Sequence, residues 1–201
     1  MTWIKTVDYD ESEGKLRTLY DRVKGPDNNV DNIMMAHSLR PHTMEGHMVI
    51  YKNVLHHSSN QVPKHLLETL GVYVSMLNGC EYCVLHHFNG LKRLIEDDAR
   101  AQAIWDAFKN ETFESAFDAK ERALLQYAKK LTQTPQRMEE SDVQSLRKVG
   151  LDDGEILEIN QVVSYFSYAN RTVLGLGINT DGDILGLSPG DMDDADNWSH
   201  Q

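Results

Sequence analysis

The sequence predicts an all-α protein, a multi-helix bundle of about seven to nine helices joined by short links. Three observations carry that reading. Apolar residues recur at helical spacing almost throughout, and no strand-like alternation runs longer than a few residues. Capping-box patterns stand at Asp118 with Glu121, at Ser141 with Gln144 and at Asp152 with Glu155, each ahead of an apolar stripe. Pro63, Asn78-Gly79 and Gly150 fall where stripes begin or stop.

In chain order, residues 11–23 have a helical pattern and Gly25–Asn29 reads as a turn. Residues 32–56 are helical again, broken near Pro41 because proline pushes its predecessor out of the α region. His56-His57 closes that segment, at a helix end where cationic character suits the macrodipole. Pro63 opens a helix at a position that tolerates a missing N–H, and Leu66, Leu67, Leu70, Val74 and Leu77 follow until Asn78-Gly79 interrupts. A further helix starts at Cys80 and carries Val84, Leu91, Leu94 and Ile95. Asp118 launches Leu124, Tyr127, Ala128 and Leu131, and the Ser141 helix closes at Gly150. Asp152 launches the longest stripe, Ile156, Ile159, Val163, Phe166, Asn170 and Val173, with Asn170 expected as a satisfied buried amide.

The 201 residues hold 20 Lys plus Arg against 31 Asp plus Glu, a net charge of −11. That excludes a general nucleic-acid binder, whose affinity comes from basic side chains on phosphates. No apolar run is long enough for a membrane span, and residues 1–10 lack the order of a signal peptide, so a cytoplasmic protein is expected. Residues 1–180 read as one domain. Residues 181–201 carry six aspartates and no Lys or Arg, with little to bury, and are expected as a mobile or partner-docked acidic tail in which Trp198 is the one anchor.

The chemistry concentrates in residues 77–87, Leu-Asn-Gly-Cys-Glu-Tyr-Cys-Val-Leu-His-His. On a helix, Cys80, Cys83 and His87 stand at i, i+3 and i+7 and share one face. Cys80 falls at a helix start, which favours a thiolate. His87 lies one turn beyond Cys83 and can take its proton. Glu68 precedes the Asn78-Gly79 turn by about as many residues as His87 follows it. If the two helices pack antiparallel, their levels differ by only ~3 Å, so Glu68 can face His87. A carboxylate among Leu66, Leu67 and Leu70 also needs a polar partner. The other readings of the dithiol are a zinc half-site completed by His86 or His87, which lacks an evident fourth ligand, and two inert buried thiols. His86 itself reads as a surface or interface neighbour. His37, His42 and His47, spaced by five, scatter around a helix, and no metal site is expected there.

Glu68, Cys80, Cys83 and His87, with eleven residues, two residues and three residues between them, resemble the signature of the alkylhydroperoxidase D-like proteins of the carboxymuconolactone decarboxylase superfamily. The segments Ala36-His37-Ser38-Leu39-Arg40-Pro41, Tyr51-Lys52, Asn170-Arg171 and Leu174-Gly175-Leu176-Gly177 resemble the branch of uncharacterised peroxidase-related enzymes, and the likeness spans roughly residues 30–180. The resemblance implies an all-α fold, trimers or hexamers, and cofactor-free reduction of hydrogen peroxide or a small organic hydroperoxide. It implies Cys83 as the peroxidatic thiol, Cys80 as its resolving partner, His87 with Glu68 as the proton relay, and an external dithiol as reductant. Tyr82 departs from the family, in which a histidine often stands between the cysteines, and this bears on the reductant and the substrate. A thiol–disulfide adaptor or redox sensor is an alternative, as is a lactone decarboxylase or isomerase, which has no need of a vicinal dithiol. The apolar content of residues 32–56 independently suggests a homo-oligomer.

Overall fold

The computed structural model describes residues 2–189 and 198–201. Nine α-helices occur among them, with three short 3-10 turns and one isolated bridge, Pro189 to His200. The helices are α1 (Gly14–Val23), α2 (Asn32–Met35), α3 (Pro41–Leu55), α4 (Lys64–Leu77), α5 (Glu81–Ile95), α6 (Asp98–Asn110), α7 (Ala119–Gln133), α8 (Glu140–Lys148) and α9 (Asp153–Leu176). None is long and apolar enough to cross a membrane.

The apolar stripes become the core. On α9, Ile159, Val163 and Phe166 are fully buried, as are Leu67 on α4 and Leu91 on α5. Each such side chain contributes about 1.5–3 kcal/mol relative to an exposed one. α4 packs mainly on α5, α9 and α7, which makes it the central helix. The α4–α9 crossing is close because Gly71 has no side chain: a Cβ there would lie 2.2 Å from the Phe166 ring. Phe166 thereby reaches across to the edge of the His87 ring, 4.6 Å between centroids.

Several local expectations are corrected. Asp118 with Glu121 and Asp152 with Glu155 form reciprocal capping boxes, but α8 is capped by Glu139 with Asp142, two residues ahead of the Ser141 pattern. Glutamate can reach the N3 amide as aspartate does, and Asp142 also takes Lys130 at 2.7 Å, which holds the start of α8 against α7. α6, capped by Asp97 accepting from the Arg100 N–H, has no counterpart in the sequence reading. The break before Pro41 is real, and four turn residues precede it. His37 and His47 are therefore not scattered around one helix but meet at 5.3 Å. His56 does cap α3, yet it is 1% exposed, and burial lowers its pKa well below the usual value, so it is not the expected cation.

The described part of residues 181–201 packs on the helices. After Gly177 ends α9 with φ +62°, the chain returns across α5. Gly186 sits so close to Asn89 that a Cβ would meet its atoms at 2.9 Å. Arg93 Nη1 donates to the carbonyls of Gly186 and Gln201 at 3.0 and 3.2 Å. Trp198 is buried beneath the Arg22 guanidinium, 3.6 Å above its ring. Asp191, Asp193, Asp194 and Asp196 lie outside the described residues.

Candidate functional site

The site begins at the junction of α4 and α5. Gly79 adopts φ +68°, a left-handed conformation that glycine enters without penalty. Its N–H donates to the Met76 carbonyl at 3.0 Å and the Cys80 N–H to that of Ser75 at 2.9 Å, which is a Schellman closure of α4. Cys80 then serves as the N-cap of α5, and its carbonyl accepts the first helical bond, from Val84 N–H at 3.1 Å. Three residues thus end one helix and start the next, and both cysteines stand at the first turn of α5.

Cys80 and Cys83 are free thiols, 0% and 3% exposed. Hydrogen bonding from the Cys83 thiol pulls the Cys80 thiol below its ordinary value, against burial, with smaller help from the Asn170 amide. The same pairing, with burial, pushes Cys83 well up. Access runs the opposite way. Cys83 lines a cavity of about 540 Å³, open mouth included, that Cys80 does not reach. The more acidic sulfur is the one behind, and the sulfur facing incoming molecules needs a base.

His87 lines the same cavity. Its Nδ1 lies 2.8 Å from Glu68 Oε2, so the carboxylate accepts the Nδ1 proton and the lone pair is left on Nε2. Glu68 is 3% exposed, held by α4 among apolar neighbours. Its second oxygen is 4.0 Å from Nε2 of buried His56, whose two ring nitrogens have no hydrogen-bond partner. The four residues expected from spacing stand in two pairs, Cys80 beside Cys83 at the start of α5 and Glu68 on His87 across α4 and α5, and Cys83 and His87 both line the cavity.

Two residues were missed. Asn170 is fully buried, as expected of a satisfied amide: its side-chain NH2 donates to Ser75 Oγ at 3.0 Å and its oxygen accepts from Asn78 at 2.9 Å. Its amide also acts to lower both thiols, more weakly than the two cysteines act on each other. The signal was a polar residue on the apolar face of α9. Asp183 is the other, brought in from beyond α9, and its side chain is 1% exposed. It accepts from Tyr82 Oη at 2.7 Å, from the Asn32 N–H at 3.0 Å and faces His86 Nε2 at 3.1 Å. No local pattern marked it among the other aspartates.

Asp31, Met34, His47, Tyr51, Tyr165, Leu187 and His200 complete much of the cavity wall. Among the described residues the wall holds no Lys or Arg. Burial lowers His47 to about 3 and also lowers His200, and it raises Asp31. His200 Nδ1 donates to the Val23 carbonyl at 2.9 Å, and the ring stacks on Tyr51. No group of three or more His, Cys, Asp or Glu among the described residues is arranged to hold a metal.

No family model and no curated protein sequence matches the chain. Solved structures do. The alkylhydroperoxidase AhpD core protein of Ralstonia eutropha JMP134, an uncharacterised peroxidase-related protein, superposes with TM-score 0.75 at 19% identity over 92% of this chain and 96% of its own. An uncharacterised peroxidase-related protein from Silicibacter sp. TM1040 gives 0.70 at 22% identity over 90% of each chain. The debrominase Bmp8, in a variant form bound to 2,3,4-tribromopyrrole, gives 0.66 at 16% identity over 89% of this chain and 90% of its own. At these identities the likeness is one of architecture: the chain has the all-α fold of the alkylhydroperoxidase AhpD core.

Proposed function

We propose that the protein is a thiol-dependent peroxidase that reduces hydrogen peroxide or a small organic hydroperoxide through Cys83 and Cys80. The observation that carries this is the contact of His87 Nδ1 with Glu68 Oε2 at 2.8 Å, in a cavity that Cys83 also lines. His87, oriented by Glu68, takes the Cys83 proton. The thiolate attacks the outer peroxide oxygen, the O–O bond breaks, and Cys83 becomes a sulfenic acid while the alcohol or water departs. The Cys80 thiolate attacks that sulfur and expels hydroxide, which leaves as water. An external dithiol then reduces the disulfide.

Stoichiometric peroxide should remove two thiols per chain, and added dithiol should support turnover. Cys83→Ser should abolish the peroxide reaction, while Cys80→Ser should leave a trappable sulfenic acid. If Cys80→Ser is the variant that stops the first step, the acidity of Cys80 outweighs the access of Cys83 and the roles exchange. Two thiols lost without turnover would make the protein an adaptor or redox sensor. The debrominase among its structural neighbours adds one arm: a brominated pyrrole, which the same dithiol would reduce by taking bromine onto Cys83 while the ring carbon gains a proton, and by releasing bromide when Cys80 closes the disulfide.

A further inference from the structure

His86 and His87 are neighbours on α5, and each faces its own buried carboxylate: His87 that of Glu68, His86 that of Asp183. Both rings line the cavity with Cys83. Because a carboxylate can only accept, the His86 Nε2–H points at Asp183, and Nδ1 is the nitrogen left for a bound molecule. Asp183 is itself fixed, by the Tyr82 hydroxyl at 2.7 Å and the Asn32 N–H at 3.0 Å.

Breaking a peroxide bond requires two proton movements, one off the attacking thiol and one onto the departing oxygen. His87 serves the first. For the second, the described cavity wall has no Lys or Arg, and burial keeps His47 and His200 neutral. The Tyr82 hydroxyl is spent on Asp183, and burial raises the Tyr51 and Tyr165 hydroxyls well above their ordinary value, which makes them weaker acids. Of the wall histidines other than His87, His86 is the one hydrogen-bonded to a carboxylate.

We propose that His86 is the proton donor to the leaving oxygen, and that Asp183, from the segment after α9, is its positioning residue. The inference rests on the peroxide reading. As Cys83 sulfur bonds to the outer oxygen and the O–O bond breaks, the departing alkoxide takes the Nδ1 proton of the His86 imidazolium and leaves as alcohol. His86 becomes neutral and is reprotonated from solvent, while His87 returns the thiol proton to solvent.

The test compares two oxidants by stopped flow. tert-Butyl hydroperoxide expels an alkoxide that needs a proton, whereas peracetic acid expels acetate, which does not. His86→Gln should slow the first by ~100-fold or more and the second by less than about threefold, the range expected for loss of a general acid. Asp183→Asn should show the same selectivity with a smaller loss. Equal losses with both oxidants would reduce His86 and Asp183 to structural residues and overturn the proposal. So would the selective loss appearing in Asp31→Asn, Tyr51→Phe or Tyr165→Phe instead, since these are the other wall side chains that can carry a proton. A parent protein inert to both oxidants is a separate result: it overturns the peroxide reading, and this inference with it.

Discussion

Glu68 interrupts an apolar run, and a carboxylate that is 3% exposed persists there because His87 meets it at 2.8 Å. Glu68→Gln keeps the volume and removes the charge that fixes the His87 tautomer. The peroxide step should slow by about 10²–10⁴-fold, the range for general acid–base assistance, with little change in unfolding midpoint. Stopped-flow oxidation of the variant at the parent rate across neutral pH would end the relay at His87. Spacing made Cys80, Cys83 and His87 legible, since one helix of known pitch carries all three. Glu68 was legible because a tight turn ties its level to that of His87. Asp183 was not, since its place depends on how residues 178–189 cross α5.

Among the helices, α4 is held by what Gly71 omits. Its missing side chain admits the Phe166 ring, and that ring packs on His87. Gly71→Ala should therefore destabilise the protein by about 1–3 kcal/mol through overpacking, although alanine is the better helix former. It should also slow the thiol reaction by displacing His87. Phe166→Leu in the same chain should recover part of the stability, as read by urea unfolding; an additive pair would show that the two positions do not touch. Stripes and cap residues made most helices readable, whereas α6 escaped because half of its buried face is alanine, Ala101 and Ala107 beside Ile104 and Phe108, and Asp97 lies amid other acidic residues. The cap of α8 escaped for another reason. Side-chain reach lets Glu139 do what Ser141 was expected to do, and Lys130 on α7 favours Asp142 as its partner.

For the molecule as a whole, buried neutral histidines set the response to acid. The folded-state pKa of His47, about 3, lies below the ordinary 6.5, so between those values the unfolded chain binds the additional proton. Its stabilisation is complete above about pH 6.5 and is lost as pH falls towards 3, at about 1.4 kcal/mol per pH unit where titration is full. His37, His56 and His200 are shifted in the same direction and add to this, while Asp31, raised by burial, opposes it. Denaturant midpoints should fall steeply below pH 6.5, and a flat profile from pH 7 to 5 would contradict this. Association is the second expectation at this scale. Met34, Met44, Met48, Tyr51 and Leu55 are buried within the chain itself, but Val49 and Ile50 on α3 stay 46% and 47% exposed. Tyr168 on α9 is exposed as well, its ring 5.9 Å from that of His47 on α3. A homo-oligomer of three or six chains that covers this apolar surface is expected in light scattering, and Ile50→Glu should lower the mass.

The amino-acid sequence by itself determined most of the helices and the local arrangement of the dithiol, because both follow from short-range periodicity, capping and one tight turn. It also determined that Glu68 needs a partner, since burial among leucines demands one. Only the tertiary structure decided which cysteine lines the cavity, that the Asn170 amide acts on both thiols, that Asp183 stands behind His86, and that His200 belongs to the wall. Apart from the choice of sulfur, these are contacts between residues far apart in the chain, and in such cases the partner is selected by the shape left between packed helices rather than by any local pattern.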